Sequence, residues 1–272
     1  MLFQYPFALF ALALCLLLTG VLSFFGYHVV RRGVIFVDLA LAQVASLGAC
    51  VGIAMGVGED RPWENFLLSL GLTLFGALLF SWFRNRKTLP IEALIGVTYA
   101  GAMALSLILL EKSATGSEQL KEMLVGSILT LSPQTLGMAA ALFVGVALVV
   151  AISRRALFQI TERPEEAALQ GRRIWLWDFL FYTVFGIVVT FSVRVAGVLL
   201  VFAFLVIPSL ASILLTQGTW RRVVFGWGFG TVGCLLGLEA SLRLDWSAGP
   251  TIVAAFILLL IAAGIVSQLR KG

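Results

Sequence analysis

Acidic and amide side chains inside long apolar runs are the residues of this sequence best suited to chemistry. Asp38 lies in the run 33–57, six residues after Arg32 and so about 9 Å along a helix. Gln43 follows about one and a half turns later, and Ser46 nearly one turn beyond that. A charged group inside a membrane span costs about 2.5–3.5 kcal/mol on insertion scales, so Asp38 is a functional candidate. We expect these oxygens to line a pathway; alternatively, Asp38 pairs with a basic group on a neighbouring helix or caps backbone amides.

Three further carboxylates and one imidazole are weaker candidates. Glu92 and Asp178 are predicted near the starts of their runs, where the helix dipole already accounts for an acidic side chain. Glu239 lies deeper in its run and is either interfacial or pathway-facing. Glu92 and Glu239 are retained as possible pathway residues. His28, the single histidine, is interpreted as structural rather than as a metal ligand.

The elements that hold these residues are membrane helices. Sixty per cent of the residues are hydrophobic and 12 per cent are charged, so lipid must be the main solvent of this chain. The runs are continuous rather than alternating, which favours helices over a barrel. The sequence therefore predicts an all-α polytopic membrane protein, a single domain over residues 1–272, with about nine spans at 6–28, 33–57, 65–83, 91–110, 134–153, 176–193, 195–216, 222–241 and 247–268.

The distribution of basic residues predicts the orientation. If the nine runs alternate, fourteen Lys and Arg residues fall on one side and five on the other. The richer side should be cytoplasmic, with the N-terminus outside and the C-terminus inside. The first run lacks a basic start and a clear cleavage site, so we interpret it as a retained helix. This bias also explains the net charge of +5, which is therefore weak evidence for nucleic acid binding, and we expect no nucleic acid partner.

One cytoplasmic connection, at about 154–175, has a pattern of its own. Pro164 suits the first turn of a short helix, Glu165 and Glu166 suit its positive end, and Gly171 suits its stop. A stable helix between two spans suggests a docking element. The alternative is a solvated loop.

Several classes of enzyme are excluded by what the sequence lacks. It contains no HExxH, no nucleophile elbow and no GxxxxGK[ST] phosphate loop. We therefore expect a protein that is not an enzyme, and any ATP hydrolysis must come from a separate subunit. Three cysteines lie inside apolar runs and form no spaced pair, which indicates buried thiols rather than disulfides: Cys15, Cys50 and Cys234.

Four passages, in order along nearly the whole chain, resemble a known family. They are VVRRGVIFVDLALAQVASLG (29–48), IEALIGVTYAGAMALSLIL (91–109), RPEEAALQG (163–171), and the pair VRVAGVLLVFAFLVIPSLASILL (193–215) with SAGPTIV (247–253). The chain resembles the membrane permease of ABC transporters that import zinc, manganese or iron.

This resemblance implies a set of partners and roles. The permease would form a homodimer in a bacterial-type cytoplasmic membrane, and an extracytoplasmic metal-binding protein would deliver the cargo. A cytoplasmic ATPase would dock on 163–171, where Pro164, Glu165, Glu166, Ala167 and Gly171 match. The divalent metal would be the transported substrate, with no covalently bound cofactor.

The chain departs from the family at one position. Members often place a histidine one turn after the aspartate, whereas this sequence has Ala42 there, followed by Gln43. Zinc prefers His, Cys and carboxylate ligands, so a site of Asp38 and Gln43 oxygens would be harder and closer to a manganese type. Two alternatives stay open: the same architecture importing a metal chelate, siderophore or other small solute, and an ATP-independent secondary transporter. A third, a membrane enzyme or assembly factor, is disfavoured by the absence of a catalytic cluster.

Overall fold

The computed structural model describes residues 5–57, 61–84, 90–111, 124–126, 128–170 and 173–269. These residues form α-helices with one 3-10 turn, Ile128–Thr130. The helices, in chain order, are α1 (Pro6–Arg31), α2 (Val37–Ala54), α3 (Pro62–Arg84), α4 (Ile91–Glu111), α5 (Pro133–Glu162), α6 (Pro164–Leu169), α7 (Ile174–Ala196), α8 (Val198–Leu215), α9 (Thr219–Leu244) and α10 (Ala248–Leu269).

Within the described residues, nine helices are long and apolar enough to cross a membrane, which confirms the predicted number of spans. Most boundaries differ from the prediction by one to four residues, and two differences bear on the candidate residues. The span expected to end at residue 153 continues as α5 to Glu162, so the predicted cytoplasmic segment 154–175 begins as helix. The sixth span begins at Ile174, two residues earlier than predicted, which makes Asp178 the fifth residue of α7 rather than part of its first turn.

The described residues group into two compact units. The first comprises Met1–Gly33, Leu124–Ala147 and Arg194–Gly272, and therefore contains α1, α8, α9 and α10. Small residues let these helices approach closely, as is typical of helix pairs in membranes. A Cβ on Gly237 of α9 would lie 2.5 Å from Cα of Ile252 on α10. Across α1 and α9, the Thr19 hydroxyl lies 3.6 Å from the Cys234 thiol.

Two glycines of this unit face one another where α7 ends and α8 begins. Gly126 and Gly197 have φ angles of +70° and +80°, which a side chain rarely adopts. A Cβ on Gly197 would lie 2.5 Å from the backbone nitrogen of Gly126 and 2.6 Å from the carbonyl carbon of Val125. The contact therefore joins backbone to backbone and leaves no room for a side chain.

The second unit comprises Val34–Met123 and Leu148–Val193, and it contains α2, α3, α4, α6 and most of α7. Helix α2 packs against both α3 and α4. A Cβ on Gly48 would lie 2.5 Å from Cα of Ser69, so α2 and α3 touch through their backbones. Between α7 and α3, the Thr190 hydroxyl donates a hydrogen bond of 3.0 Å to the Thr73 hydroxyl. The contacts of α2 with α3 and α4 hold the helix that carries Asp38.

Candidate functional site

Asp38 is the second residue of α2 and is almost fully buried, with 1% of its surface exposed. It lies in the first turn of the helix, where the helix dipole favours a carboxylate. Its Oδ1 atom nevertheless has no hydrogen-bond partner among the residues that the structure describes. A buried acceptor without a partner costs about 1–3 kcal/mol, and more for a charged group. The carboxylate therefore retains an oxygen available to a ligand.

Gln43 and Ser46 are also buried, but helical geometry separates Gln43 from Asp38. Five residues correspond to about 140° around a helix, whereas four residues, the spacing from Asp38 to Ala42, correspond to about 40°. Ser46 is eight residues from Asp38, about 80° around, and its hydroxyl has no partner in the described part of the chain. A metal site that uses both Asp38 and Gln43 stays a prediction.

No ready-made metal centre accompanies Asp38. In the ranges that the structure describes, no group of three or more His, Cys, Asp and Glu side chains lies close enough to hold a metal ion. That the metal is a transported substrate, held by few ligands, stays a prediction.

The two other pathway candidates occupy more exposed positions. Glu92 is exposed in the first turn of α4, where the helix dipole favours a carboxylate. The Glu239 Oε1 atom accepts a hydrogen bond of 2.7 Å from Nε of Arg243, one turn further along α9. The side chain of Glu239 is 28% exposed. Its ion pair agrees with the interfacial interpretation, and a pathway role for either residue stays a prediction.

Sequence reasoning missed the burial of Asp178. The dipole explanation for it is wrong, because the residue lies beyond the first turn of α7 and none of its surface is exposed. Tyr182 and Thr183, about one turn later, add further polar groups to this part of α7, and Tyr182 is fully buried. The sequence feature that could have indicated this burial is a carboxylate inside an apolar run. His28 is buried beside the ring of Phe24, with 4.6 Å between ring centroids, in agreement with a structural role.

The predicted docking segment contains a helix, as expected. Pro164 is the first residue of α6, Glu165 and Glu166 are exposed in its first turn, and Ala167 is completely buried. Nη1 of Arg163 lies 3.3 Å from Oε2 of Glu166. The buried alanine fixes the helix on one side, and both carboxylates lie on the exposed side, Glu166 in its ion pair with Arg163.

The far end of the segment is tied to the preceding helix. Nε2 of Gln159, near the end of α5, donates a hydrogen bond of 2.7 Å to Oε1 of Gln170. A shift of α6 would therefore act on α5 directly. The predicted stop, Gly171, lies outside the described residues.

Comparison with known proteins agrees with this architecture. The chain is 24% identical over 248 residues to the manganese import system permease protein ScaB of Streptococcus parasanguinis, with 91% of this chain and 86% of ScaB covered. Its fold is similar to that in the structure of PsaBC from Streptococcus pneumoniae in complex with Fab, with a TM-score of 0.82 at 19% identity and 96% and 92% coverage. It is also similar to an inward-facing conformation of a putative metal-chelate type ABC transporter, with a TM-score of 0.73 at 18% identity and 97% and 86% coverage.

The family is shown by a match along nearly the whole sequence. The model of the ABC 3 transport family matches residues 4–267, which include all nine candidate spans apart from the last residues of α10. The apolar helices, the Asp38 passage and the short helix between spans are thus parts of one pattern, and the chain belongs to the ABC 3 transport family.

Proposed function

We propose that this chain is the permease subunit of an ATP-driven importer of divalent metal ions, with manganese, zinc and iron as the candidate cargoes. The observation that supports this most directly is the buried carboxylate of Asp38, whose Oδ1 atom has no partner among the described residues. A lipid-embedded helix retains such a group at a cost, and a passing cation would offset that cost. The family membership and the manganese import permease among its relatives support the same function.

The ligand chemistry favours a hard cation. Asp38 supplies a carboxylate, and the position one turn later is Ala42, which offers no donor atom. Carboxylate, carbonyl and water oxygens suit manganese, whereas zinc gains more from imidazole and thiolate. Manganese is therefore the cargo that this helix fits best. Asp38 acts as a transient ligand, because an importer must release what it binds.

Energy would enter through α6. Its exposed Glu165 and Glu166 form the surface that docks on a cytoplasmic ATPase, and its buried Ala167 transmits movement into the permease. The hydrogen bond between Gln159 and Gln170 extends that connection into α5. The chain itself is the membrane subunit, and the ATPase is a separate protein.

A second copy of the permease completes the membrane part. One face of α4 exposes small residues, Gly96, Ala100 and Ala104, at four-residue spacing, with open space beside Gly96. Small residues at this spacing allow two helices to approach closely. We place the second copy on this face. The dimer lies in the cytoplasmic membrane with its N-termini outside, where an extracytoplasmic metal-binding protein delivers the cargo.

Purification and reconstitution test this function. The permease, tagged and purified from its own cells, should retain an ATPase subunit, and the complex in proteoliposomes should accumulate manganese when supplied with ATP. A non-hydrolysable ATP analogue is the control. Accumulation at the same rate with the analogue would refute ATP-driven import and favour a secondary transporter.

A metal chelate is the second candidate cargo. Two observations favour it: Ala42 at the position where relatives often have histidine, and the fold shared with a putative metal-chelate type transporter. Competition separates the two cargoes. If the bare ion is the cargo, free manganese should suppress cargo uptake. If a chelate is the cargo, only the intact chelate should suppress it.

A further inference from the structure

Helix α5 is longer than a membrane is thick. Its 30 residues extend about 45 Å, whereas the hydrocarbon core of a bilayer measures about 30 Å. Arg154 and Arg155 follow Pro133 by 21 and 22 positions, about 32 Å along the axis. When Pro133 lies at one edge of the hydrocarbon, the two arginines lie at the other edge, level with the lipid headgroups.

The burial pattern of α5 shows which way these arginines point. Ser153, Ala156 and Leu157 are buried and form the packed side of the helix. Ile152 is 86% exposed and Leu148 is 61% exposed, one turn apart on another side, as expected for a face covered by acyl chains. Arg154 and Arg155 are both exposed, and Arg155 follows Ile152 by three positions on the same stripe. Their guanidinium groups therefore lie beside lipid.

Neither arginine is neutralised within the described residues. Arg154 and Arg155 have no hydrogen-bond or ion-pair partner there, in contrast to Arg163, which lies 3.3 Å from Glu166. The next carboxylate along α5 is Glu162, seven positions after Arg155 and so about 10 Å away. Two adjacent positive charges at the headgroup level are therefore available to an anion from outside the chain.

We propose that Arg154 and Arg155 form a binding site for the headgroup of an anionic phospholipid. A guanidinium group presents its donors in a planar fork that matches phosphate oxygens, and the exposed Ile152 and Leu148 contact the acyl chains of the same lipid. In the proposed orientation this lipid belongs to the cytoplasmic leaflet. The site is distinct from the transport function and needs only that α5 spans the membrane.

The position of the site gives the lipid an influence on coupling. Arg155 precedes Gln159 by one turn, and Gln159 is hydrogen-bonded to Gln170 at the end of the docking segment. A lipid that fixes this end of α5 therefore also fixes the segment to which the ATPase is proposed to bind. Anionic lipid should increase the coupling of ATP hydrolysis to transport.

The test counts lipids bound to the intact permease by native mass spectrometry. Phosphatidylglycerol and phosphatidylcholine with identical acyl chains compete in mixed micelles. The unmodified protein should retain phosphatidylglycerol, and Arg154→Gln with Arg155→Gln should weaken that retention about 30-fold, since each basic residue near a membrane surface contributes about 1 kcal/mol. Arg31→Gln is the matched control: Arg31 is exposed at the end of α1, but the residues one turn before it are buried. It should leave retention unchanged.

Three results would overturn the proposal. They are equal retention of the two lipids by the unmodified protein, full retention by the double glutamine variant, and an equal loss in Arg31→Gln. If the glutamine variant does not fold, Arg154→Lys with Arg155→Lys replaces it. Lysine keeps the charge but lacks the fork, so phosphatidylglycerol preference should fall and become more sensitive to salt. An unchanged preference and salt dependence in the lysine variant would refute recognition by the guanidinium fork. These readouts measure lipid binding alone, so they do not depend on whether the cargo is a metal.

Discussion

Replacing Asp38 by asparagine removes one negative charge at nearly constant volume. A contact to a charged group contributes about 1.5–3 kcal/mol, and a contact to a neutral group contributes about 0.5–1.5 kcal/mol. The difference, about 1–2 kcal/mol, predicts a loss of manganese affinity of at least about 5- to 30-fold. The true loss should exceed this range, because the cargo is doubly charged. We expect transport to be abolished or strongly reduced.

The same substitution should not destabilise the fold. Oδ1 of Asp38 has no hydrogen-bond partner among the described residues, so the change breaks no contact of that atom. An unpaired buried charge also costs more than a buried neutral amide. The thermal midpoint of Asp38→Asn should therefore be equal to or above that of the unmodified protein. A structural carboxylate would give the opposite result, a lower midpoint.

Two assays on one preparation separate these effects: manganese titration of the permease in detergent, and ATP-dependent uptake by the complete transporter in proteoliposomes. Asp178→Asn is the control, because Asp178 is a second fully buried carboxylate in the same unit. We expect it to leave manganese affinity unchanged. Full transport by a well-folded Asp38→Asn variant would refute the pathway role, and an equal loss of affinity in Asp178→Asn would show that the effect is not specific to Asp38.

Three further predictions concern coupling, ligand geometry and backbone packing. Glu165→Lys with Glu166→Lys should retain ATP hydrolysis but lose manganese uptake, measured together in proteoliposomes; a parallel fall of both would argue against uncoupling. Ala42→His should tighten zinc binding in calorimetry more than Gln43→His, because residues four apart share a helix face; unchanged zinc affinity in Ala42→His would show that this face does not meet the cargo. Gly197→Ala should lower the thermal midpoint, since a side chain in the left-handed backbone conformation costs about 1–2 kcal/mol and the new Cβ would lie 2.5 Å from the backbone nitrogen of Gly126. Gly228→Ala is the control and should leave the midpoint unchanged, because a Cβ there meets nothing within 4 Å.

The positions of the spans could be predicted because lipid imposes a strict rule. Each crossing segment must satisfy its own backbone hydrogen bonds and present about 20 apolar residues, and both requirements are visible in sequence. The end of α5 was harder to predict from the sequence. The sequence predicts the end of the span at residue 153, before Arg154 and Arg155, whereas the helix continues past both arginines to Glu162. A helix can continue from lipid into water because its backbone hydrogen bonds are internal.

Contacts between distant segments could not be predicted in this way. Gly126 and Gly197 are separated by 71 positions, and nothing in either neighbourhood indicates that their backbones touch. The burial of Asp178 was missed because the start of α7 was predicted two residues too late, which placed Asp178 in the first turn. For Asp38 the sequence signal was a costly charge in an apolar run. The structure adds that its Oδ1 atom lacks a partner among the described residues, and its pathway role stays a prediction.

The geometry of α2 limits how the proposed cargo can be held. Asp38 offers a carboxylate, its face one turn later carries only the methyl group of Ala42, and Gln43 points about 140° away. One helix therefore cannot complete the coordination of a divalent ion. The remaining ligands must come from water molecules, from other segments of the chain or from the proposed second permease copy. An ion that keeps part of its water shell is held weakly and dissociates quickly, as a transient binding site in a transport pathway requires. A histidine at position 42 would strengthen binding at the cost of that rapid release.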